Sequence, residues 1–405
     1  MDTAATAVDA GTDSAEPTEL ASGCPARGTS WSGAFRASWP AWAVAHFCTL
    51  LALAIAKYEV THFRISSTQA TSAAHSGLLG FDAAWYRLIA ESGYRGAGYS
   101  SLRFFPALPV ITHLLHDVTR LPTGAVLLAI AAVCSLAATM VVYSLTVFEL
   151  GDQALGSRAA WLFSLVPSAY VLTMGYSEAP FILACAGCLF CLRRQRWIWA
   201  AALGYLAGLT RPLGVLLALA ATVEVLRESG LVAALGPSRP PSGDLARRSL
   251  AVAGPVAGTV TYLGWVAASY HDFFAPVTIQ LNGRRHGSVT DPLAVLVHSA
   301  SQVVHTHDLV VAGELAAVVL SVAMAAVALY KLPLSYGVFS AAVVVVSISG
   351  HSLDSYARYA WSAFPLVMAG AALLRSERVA VPVLVASGVG LLGLAMLSFQ
   401  GVYVP

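Results

Sequence analysis

Residues 77–98, GLLGFDAAWYRLIAESGYRGAG, place Asp82, Arg87, Glu91 and Arg95 in a chain where only 11% of residues are charged. A carboxylate can take a proton from a hydroxyl as general base, and an arginine can neutralise charge on a departing phosphate. Read as a helix, the stretch puts Phe81, Trp85, Leu88 and Ile89 on one face, with Asp82 and Tyr86 sharing a flank. Arg87 and Glu91 have the spacing of a helical ion pair, and Gly93 is a stop. Two compatible roles stay open for Asp82: it caps the helix N-terminus, or it does so while pointing one oxygen into a cavity. Trp85 suits an anchor at a membrane surface.

Other polar stations follow along the chain. RFFPALPVITHLL (103–115) has two prolines three apart beneath paired aromatics, which break and re-aim a chain going into a membrane. VPSAYVLTMGYSEAPF (166–181) puts Tyr176, Ser177 and Glu178 in a tight turn, with the acid favourable at the start of the next helix. GLTRPLG (208–214) sets Arg211 between apolar helices, where an arginine is costly and marks function. YHDFFAPVTIQLNGRRHG (270–287) gathers His271, Asp272, Gln280, Asn282, Arg284, Arg285 and His286. HSLDSYARYAWSAFP (351–365) adds Asp354, Tyr356, Arg358 and Tyr359. No metal or cofactor is expected. His305, His307 and Asp308 lack compact ligand spacing, and Cys185, Cys188 and Cys191 of CAGCLFC read as small apolar residues packing in a span. No Gly-rich phosphate motif is present.

The elements that must hold these residues are membrane helices. The 405 residues are 57% hydrophobic with a mean hydropathy of +0.70. Soluble domains carry roughly 25% charge, so this chain cannot coat a water-facing surface. Its net charge of +2 and lack of a basic block exclude a nucleic-acid partner. Apolar windows of about the length that crosses a bilayer fall near 39–58, 124–147, 158–175, 178–192, 197–210, 212–227, 250–269, 308–329, 333–349, 358–374 and 379–399. An all-α, multi-pass protein of about eleven spans is predicted. Residues 1–37 read as a disordered cytoplasmic tail, and the first span as an uncleaved anchor. Residues 38–405 form the membrane domain, with 59–123 as a first outer loop carrying a short interfacial helix and a re-entrant or interfacial stretch near 105–120. Arginines and lysines in RRQR (193–196), at Arg227, Arg247, Arg248 and Lys331, and in RSER (375–378) mark the cytoplasmic side. The opposite side then receives Arg87, Arg95, Arg103, Arg211, Arg284, Arg285 and Arg358, against the sorting rule, so a reason other than topology is expected for them. Outer acids and arginines around a membrane-edge cavity suit transfer of a sugar from a lipid phosphate, with no nucleotide fold needed.

In this order, FDAAWYRLIAESGY, FFPALP, PSAYVLTMGYSEAPF, AGLTRPLG, HDFFAPVTIQLNGR and YARYAWSAFP make the chain resemble the PIG-V-type mannosyltransferases. That family contains GPI mannosyltransferase II and its bacterial relatives, within the GT-C glycosyltransferases, and the likeness runs over residues 81–366. The resemblance implies a catalytic base at Asp82, where the family has a W-D-x-x-aromatic pattern; here Phe81 replaces the tryptophan, and Leu108 stands where an aromatic often sits between the prolines. It carries the Ser–Glu and Arg–Pro motifs to Ser177, Glu178, Arg211 and Pro212, the D-x-x-A…Q…R loop to Asp272, Gln280 and Arg284, and the Arg–Tyr motif to Arg358 and Tyr359. It further implies inverting transfer of mannose from a polyprenyl-phosphate donor, without a nucleotide sugar or metal.

The expectation is a glycosyltransferase of the cell membrane, with its N-terminus cytoplasmic and its active site outside. Asp82 is the base, and Arg211, Arg284 and Arg358 bind the donor phosphate. Tyr86, Tyr176, Ser177, Glu178, Asp272, Gln280 and Tyr359 orient substrates. The partners are the bilayer, a polyprenyl-phosphate sugar and a glycan, glycolipid or protein acceptor. A transporter or lipid-linked-sugar flippase is the alternative; it calls for an inverted repeat with mid-depth polar sites, whereas the polar residues here gather on one side. A substrate-binding but non-catalytic subunit is the third reading, and Asp82 speaks against it.

Overall fold

The computed structural model describes residues 30–63, 68–229, 245–280, 291–350, 352–353 and 355–403. Among these residues every regular element is helical. The first half contains α1 (Trp31–His62), α2 (Thr68–Ser76), α3 (Asp82–Ala97), α4 (Ala107–Thr119), α5 (Thr123–Leu150), α6 (Gln153–Leu165), α7 (Glu178–Arg193), α8 (Trp197–Thr210) and α9 (Leu217–Ser229). The second contains α10 (Leu245–Tyr270), α11 (Ala275–Gln280), α12 (Pro292–Thr306), α13 (Leu309–Lys331), α14 (Leu334–Ile348), α15 (Tyr356–Trp361), α16 (Pro365–Leu373) and α17 (Glu377–Phe399). α1 begins at Trp31, inside the segment read as a tail, with the Ser30 hydroxyl accepting from Gly33 N.

Helix occupies most of each apolar window, but among the described residues only α1, α5, α10, α13 and α17 are long and apolar enough to cross a membrane unaided. The remaining windows hold shorter or broken helices. Window 158–175 stops at Leu165 and continues as a 3-10 turn, Pro167–Leu172. Window 212–227 opens with a second 3-10 turn, Pro212–Leu216. Window 358–374 divides into α15 and α16 at Pro365. Each break follows from a proline, whose missing N–H and fixed φ suit the first turn of a new helix and not the middle of an old one. The count of eleven therefore describes helical windows, not eleven full-length crossings.

Large apolar side chains stand exposed along the long helices, among them Phe47, Leu50, Val133, Val319, Leu320, Val385 and Val389. Water would not tolerate so large an apolar surface; with the five long apolar helices it identifies a membrane protein. α4 shows the same property, with Val110, Ile111, Leu114, Leu115 and Val118 exposed on a helix of 13 residues, too short to cross.

Close packing fixes the middle of the bundle. α8 carries Gly204 and Gly208, and α10 carries Gly254 and Gly258, each pair four residues apart. A Cβ on Gly208 would overlap the Pro255 carbonyl, one on Gly254 the Ala201 carbonyl, and one on Gly258 the Tyr205 carbonyl. Small residues at this spacing let two backbones touch. α7 packs beside α8: Cys185 and Cys188 are fully buried, and the Cys188 thiol donates to Ala200 O at 3.3 Å. α7 has a charge cluster at each end. Arg193 closes its C-terminus, gripping Glu149 with Nε at 2.7 Å and Nη2 at 3.1 Å, and meeting Glu224 Oε2 at 3.3 Å. Glu178 opens its N-terminus.

Candidate active site

Asp82 is positioned by a turn that wraps one loop around another. Gly77 adopts φ +52°, a conformation that costs glycine little, and Gly175 N donates to Leu78 O at 3.1 Å. This bond joins the segment before Asp82 to the segment before Tyr176, Ser177 and Glu178. Phe81 then takes φ +52°, ψ −123°, a strained conformation for a residue with a Cβ. Helix α3 starts directly after it.

Asp82 is not the N-cap. Phe81 occupies that position without a side-chain bond, and Asp82 is the first helical residue. Its carboxylate is drawn away from the backbone by a guanidinium: Arg358 Nη1 donates to Asp82 Oδ2 at 2.8 Å. The Asp82 backbone N–H points to the Tyr176 hydroxyl at 3.4 Å. The carboxylate still lies in the first turn, where the helix dipole favours negative charge. The ion pair and the glycine break read from the sequence are both present in α3. Arg87 Nε meets Glu91 Oε1 at 2.8 Å, Gly93 breaks the helix at φ +67°, and Trp85 stacks on Phe104 with centroids 5.7 Å apart.

From Asp82 an ion chain runs inward. Arg358 Nε approaches Glu178 Oε1 at 3.2 Å, and Arg211 Nη1 contacts the same oxygen. Two acids and two arginines thus form a neutral quartet, and burial is unequal within it. The side chains of Glu178 and Arg358 are 2% and 4% exposed, Arg211 10% and Asp82 28%. Asp82 Oδ1 has no partner among the described residues, so the quartet ends in one open carboxylate oxygen. Aromatic rings wall the arginines: Arg358 lies over Tyr359 at 4.7 Å and Tyr176 at 5.3 Å, and Arg211 over Tyr359 at 5.1 Å. Arg358 Nη2 also donates to the Tyr359 hydroxyl at 2.8 Å. Tyr86 donates to Ser177 Oγ at 2.7 Å, and burial pushes its phenol above the ordinary value, so it remains a donor at physiological pH.

Arg358 owes its place to an acid that the motifs did not single out. Glu314 lies buried in the apolar helix α13, and its Oε2 accepts from Ala357 N at 2.9 Å while its Oε1 accepts from the Tyr403 hydroxyl at 2.6 Å. It therefore anchors the first turn of α15, one residue before Arg358. An ionisable residue inside a 23-residue apolar helix is the signal that could have found it.

Asp82, Tyr86, Tyr176, Ser177, Glu178, Arg211, Arg358 and Tyr359 thus converge. Asp272 makes its contacts elsewhere: Oδ1 accepts from Phe274 N and Oδ2 from the Tyr99 hydroxyl, both at 3.0 Å. Gln280 ends α11 and is exposed. Arg284 and Asp354 lie outside the described residues. The arrangement can accept a proton at Asp82 Oδ1 and set two arginines against negative charge that develops beside them.

No protein-family model matches the chain, and no curated protein sequence does. Among solved structures, the Archaeoglobus fulgidus oligosaccharyltransferase in its apo form is similar at a TM-score of 0.47 and 16% identity, over 88% of this chain and 56% of that one. Its complex with Zn and sulfate gives a TM-score of 0.44 at 16% identity, over 79% and 48%. The archaeal oligosaccharyltransferase from the same organism, in complex with an inhibitory peptide and a dolichol-phosphate, gives 0.41 at 13% identity, over 79% and 51%. The chain spans about half the length of these neighbours. At such identities and scores the likeness carries nothing about activity.

Proposed function

We propose that the chain is a GT-C membrane glycosyltransferase of the PIG-V type that transfers mannose from polyprenyl-phosphate mannose to an extracytoplasmic hydroxyl with inversion. The observation that carries this reading is the quartet itself, a buried ion chain that ends in the open oxygen of Asp82. The acceptor hydroxyl gives its proton to Asp82 Oδ1, and its oxygen bonds to the anomeric carbon. The bond from that carbon to the phosphate oxygen breaks, and polyprenyl phosphate leaves with the electron pair. A single displacement of this kind inverts the anomeric centre.

Arg358 and Arg211 face the charge that builds on the leaving phosphate, with Arg284 assigned to the same anion. Glu178 fixes the two buried guanidinia between them. Tyr86, Tyr176, Ser177 and Tyr359 pack around the quartet and orient what binds there, while Asp272 and Gln280 serve the acceptor. The arginine-rich turn at 193–196, at the far end of α7 from Glu178, supports a cytoplasmic face there and an outer active site. The test is Asp82→Asn in membranes supplied with the lipid donor. The amide can still accept from Arg358, so the variant is expected to fold and insert while transfer falls by about 10²–10⁴-fold, the span of general-base catalysis. Near-normal transfer would remove Asp82 from the role.

A further inference from the structure

The quartet is electrically closed: Asp82 and Glu178 offset Arg211 and Arg358. An incoming phosphodiester brings one more negative charge, which needs a cation that no carboxylate already holds. We propose that Arg103 is that cation, the primary contact for the phosphate of a polyprenyl-phosphate lipid rather than of a bulk phospholipid; the assignment to a sugar donor rests on the function proposed above.

Arg103 is the last residue of the 3-10 turn Tyr99–Arg103 and forms no ion pair or hydrogen bond among the described residues. Its Nε is buried and unpartnered. The guanidinium lies over the ring of Phe104 at 4.5 Å and over Trp85 at 5.5 Å. Such contacts hold a guanidinium in place but leave its forked N–H donors free, the geometry that phosphate oxygens accept.

The backbone around it is built to keep it still. Tyr262 donates to Leu102 O at 2.6 Å, and Tyr94 donates to Phe104 O at 2.7 Å, so the carbonyls on both sides of Arg103 are held by tyrosine hydroxyls. Leu102 is fully buried beneath. Two packed rings lead from Arg103 to the quartet: Phe104 meets Tyr86 edge to face at 5.1 Å, and Tyr86 bonds Ser177, the neighbour of Glu178. A pre-set, uncompensated arginine two rings from a neutral ion chain supplies the missing charge. It also separates the tasks, with Arg103 holding the phosphate in the ground state and the quartet answering the charge that develops on departure.

The experiment measures binding of sugar-free polyprenyl phosphate to the full chain in phosphatidylcholine nanodiscs. Arg103→Met keeps an apolar stem over the two rings and removes the charge; Arg103→Lys keeps the charge. Arg103→Met is expected to weaken binding at least about tenfold, the loss of one charge-assisted contact, and Arg103→Lys to retain most of it. Excess phosphatidylglycerol is expected not to compete. Equal binding by wild type and a well-folded Arg103→Met would overturn the proposal. Equal competition by phosphatidylglycerol would overturn it too, making Arg103 a bulk-lipid anchor. The two readings fail separately. Binding that depends on Arg103 without sugar transfer from any lipid donor would leave this site standing and remove the transferase. Transfer with an unchanged donor KM in Arg103→Met would do the reverse.

Discussion

Asp82 and Glu178 both pair with Arg358, yet their surroundings give them different work. Glu178 is enclosed and shared between two guanidinia, whereas Asp82 keeps one oxygen open. Spacing in the sequence could mark both as acids of interest but could not distinguish them, because burial depends on what the rest of the chain places around each. It also favoured a capping role for Asp82, a role that lost to Arg358, 276 residues away. Both bonds are charge-assisted on the carboxylate side, but a guanidinium adds a full opposite charge where a backbone N–H offers only a dipole, so an arginine from a distant helix outcompetes the cap. Glu314 gives a prediction at the same scale. In Glu314→Gln, the amide oxygen can still accept from Ala357 N and its NH2 can donate to the Tyr403 hydroxyl, so α15 stays anchored. In Glu314→Ala, both partners are orphaned at about 1–3 kcal/mol each, and Arg358 loses its setting. Transfer kinetics are expected to show a large fall in kcat for Ala and near-normal kcat for Gln. A purely structural role would instead reduce the folded yield of both variants without changing kcat per folded molecule.

At the scale of elements, the site is made from helix ends. Asp82 starts α3, Glu178 starts α7, Arg211 terminates α8 and Arg358 sits in the six-residue α15. Helix ends carry unsatisfied backbone groups and partial charges, so they are where a mostly apolar bundle can present polar chemistry. This explains how the windows were legible and their lengths were not. Hydropathy sees apolar composition across Pro212 and Pro365, while the backbone breaks there because proline has no N–H to give. The contact between α8 and α10 is a second feature that hydropathy does not see, since glycine is nearly neutral on such a scale. It is testable within one helix. Gly258→Leu would drive a side chain into the Tyr205 carbonyl, whereas Gly264→Leu, six residues later on α10, meets nothing within 4 Å. The monodisperse fraction on size exclusion is expected to collapse for Gly258→Leu and to remain near wild type for Gly264→Leu.

Across the whole molecule, α7 connects two ionic clusters of opposite character, one at each end and about 22 Å apart at 1.5 Å per residue. The cluster around Glu178 has an open carboxylate and an arginine-rich wall. The cluster around Arg193 is closed: Ser335 Oγ donates to Glu224 at 2.5 Å, the Tyr336 hydroxyl to Glu149 at 3.0 Å, and Arg227 Nε to Glu224 at 3.0 Å. It draws α5, α7, α9 and α14 to one point, and every strong donor there already has an acceptor. Positive charge in the 193–196 turn was legible as a topology signal, but its second use was not, because Glu149 lies just past one apolar window, Glu224 lies inside another, and only the fold shows that they meet one arginine. A cluster in which every strong donor is paired is expected to act on stability. Arg193→Met leaves the buried carboxylate of Glu149 without a cation, while Glu224 keeps Arg227, and stranding a buried charge typically costs about 3–5 kcal/mol. Thermal unfolding in detergent is expected to move to clearly lower temperature, while donor KM and kcat per folded molecule stay at wild-type values below that transition. Asp82→Asn is expected to give the opposite pattern, stable and inactive. If Arg193→Met lost transfer without losing stability, the two ends of α7 would be coupled, and the division of labour between them would be wrong.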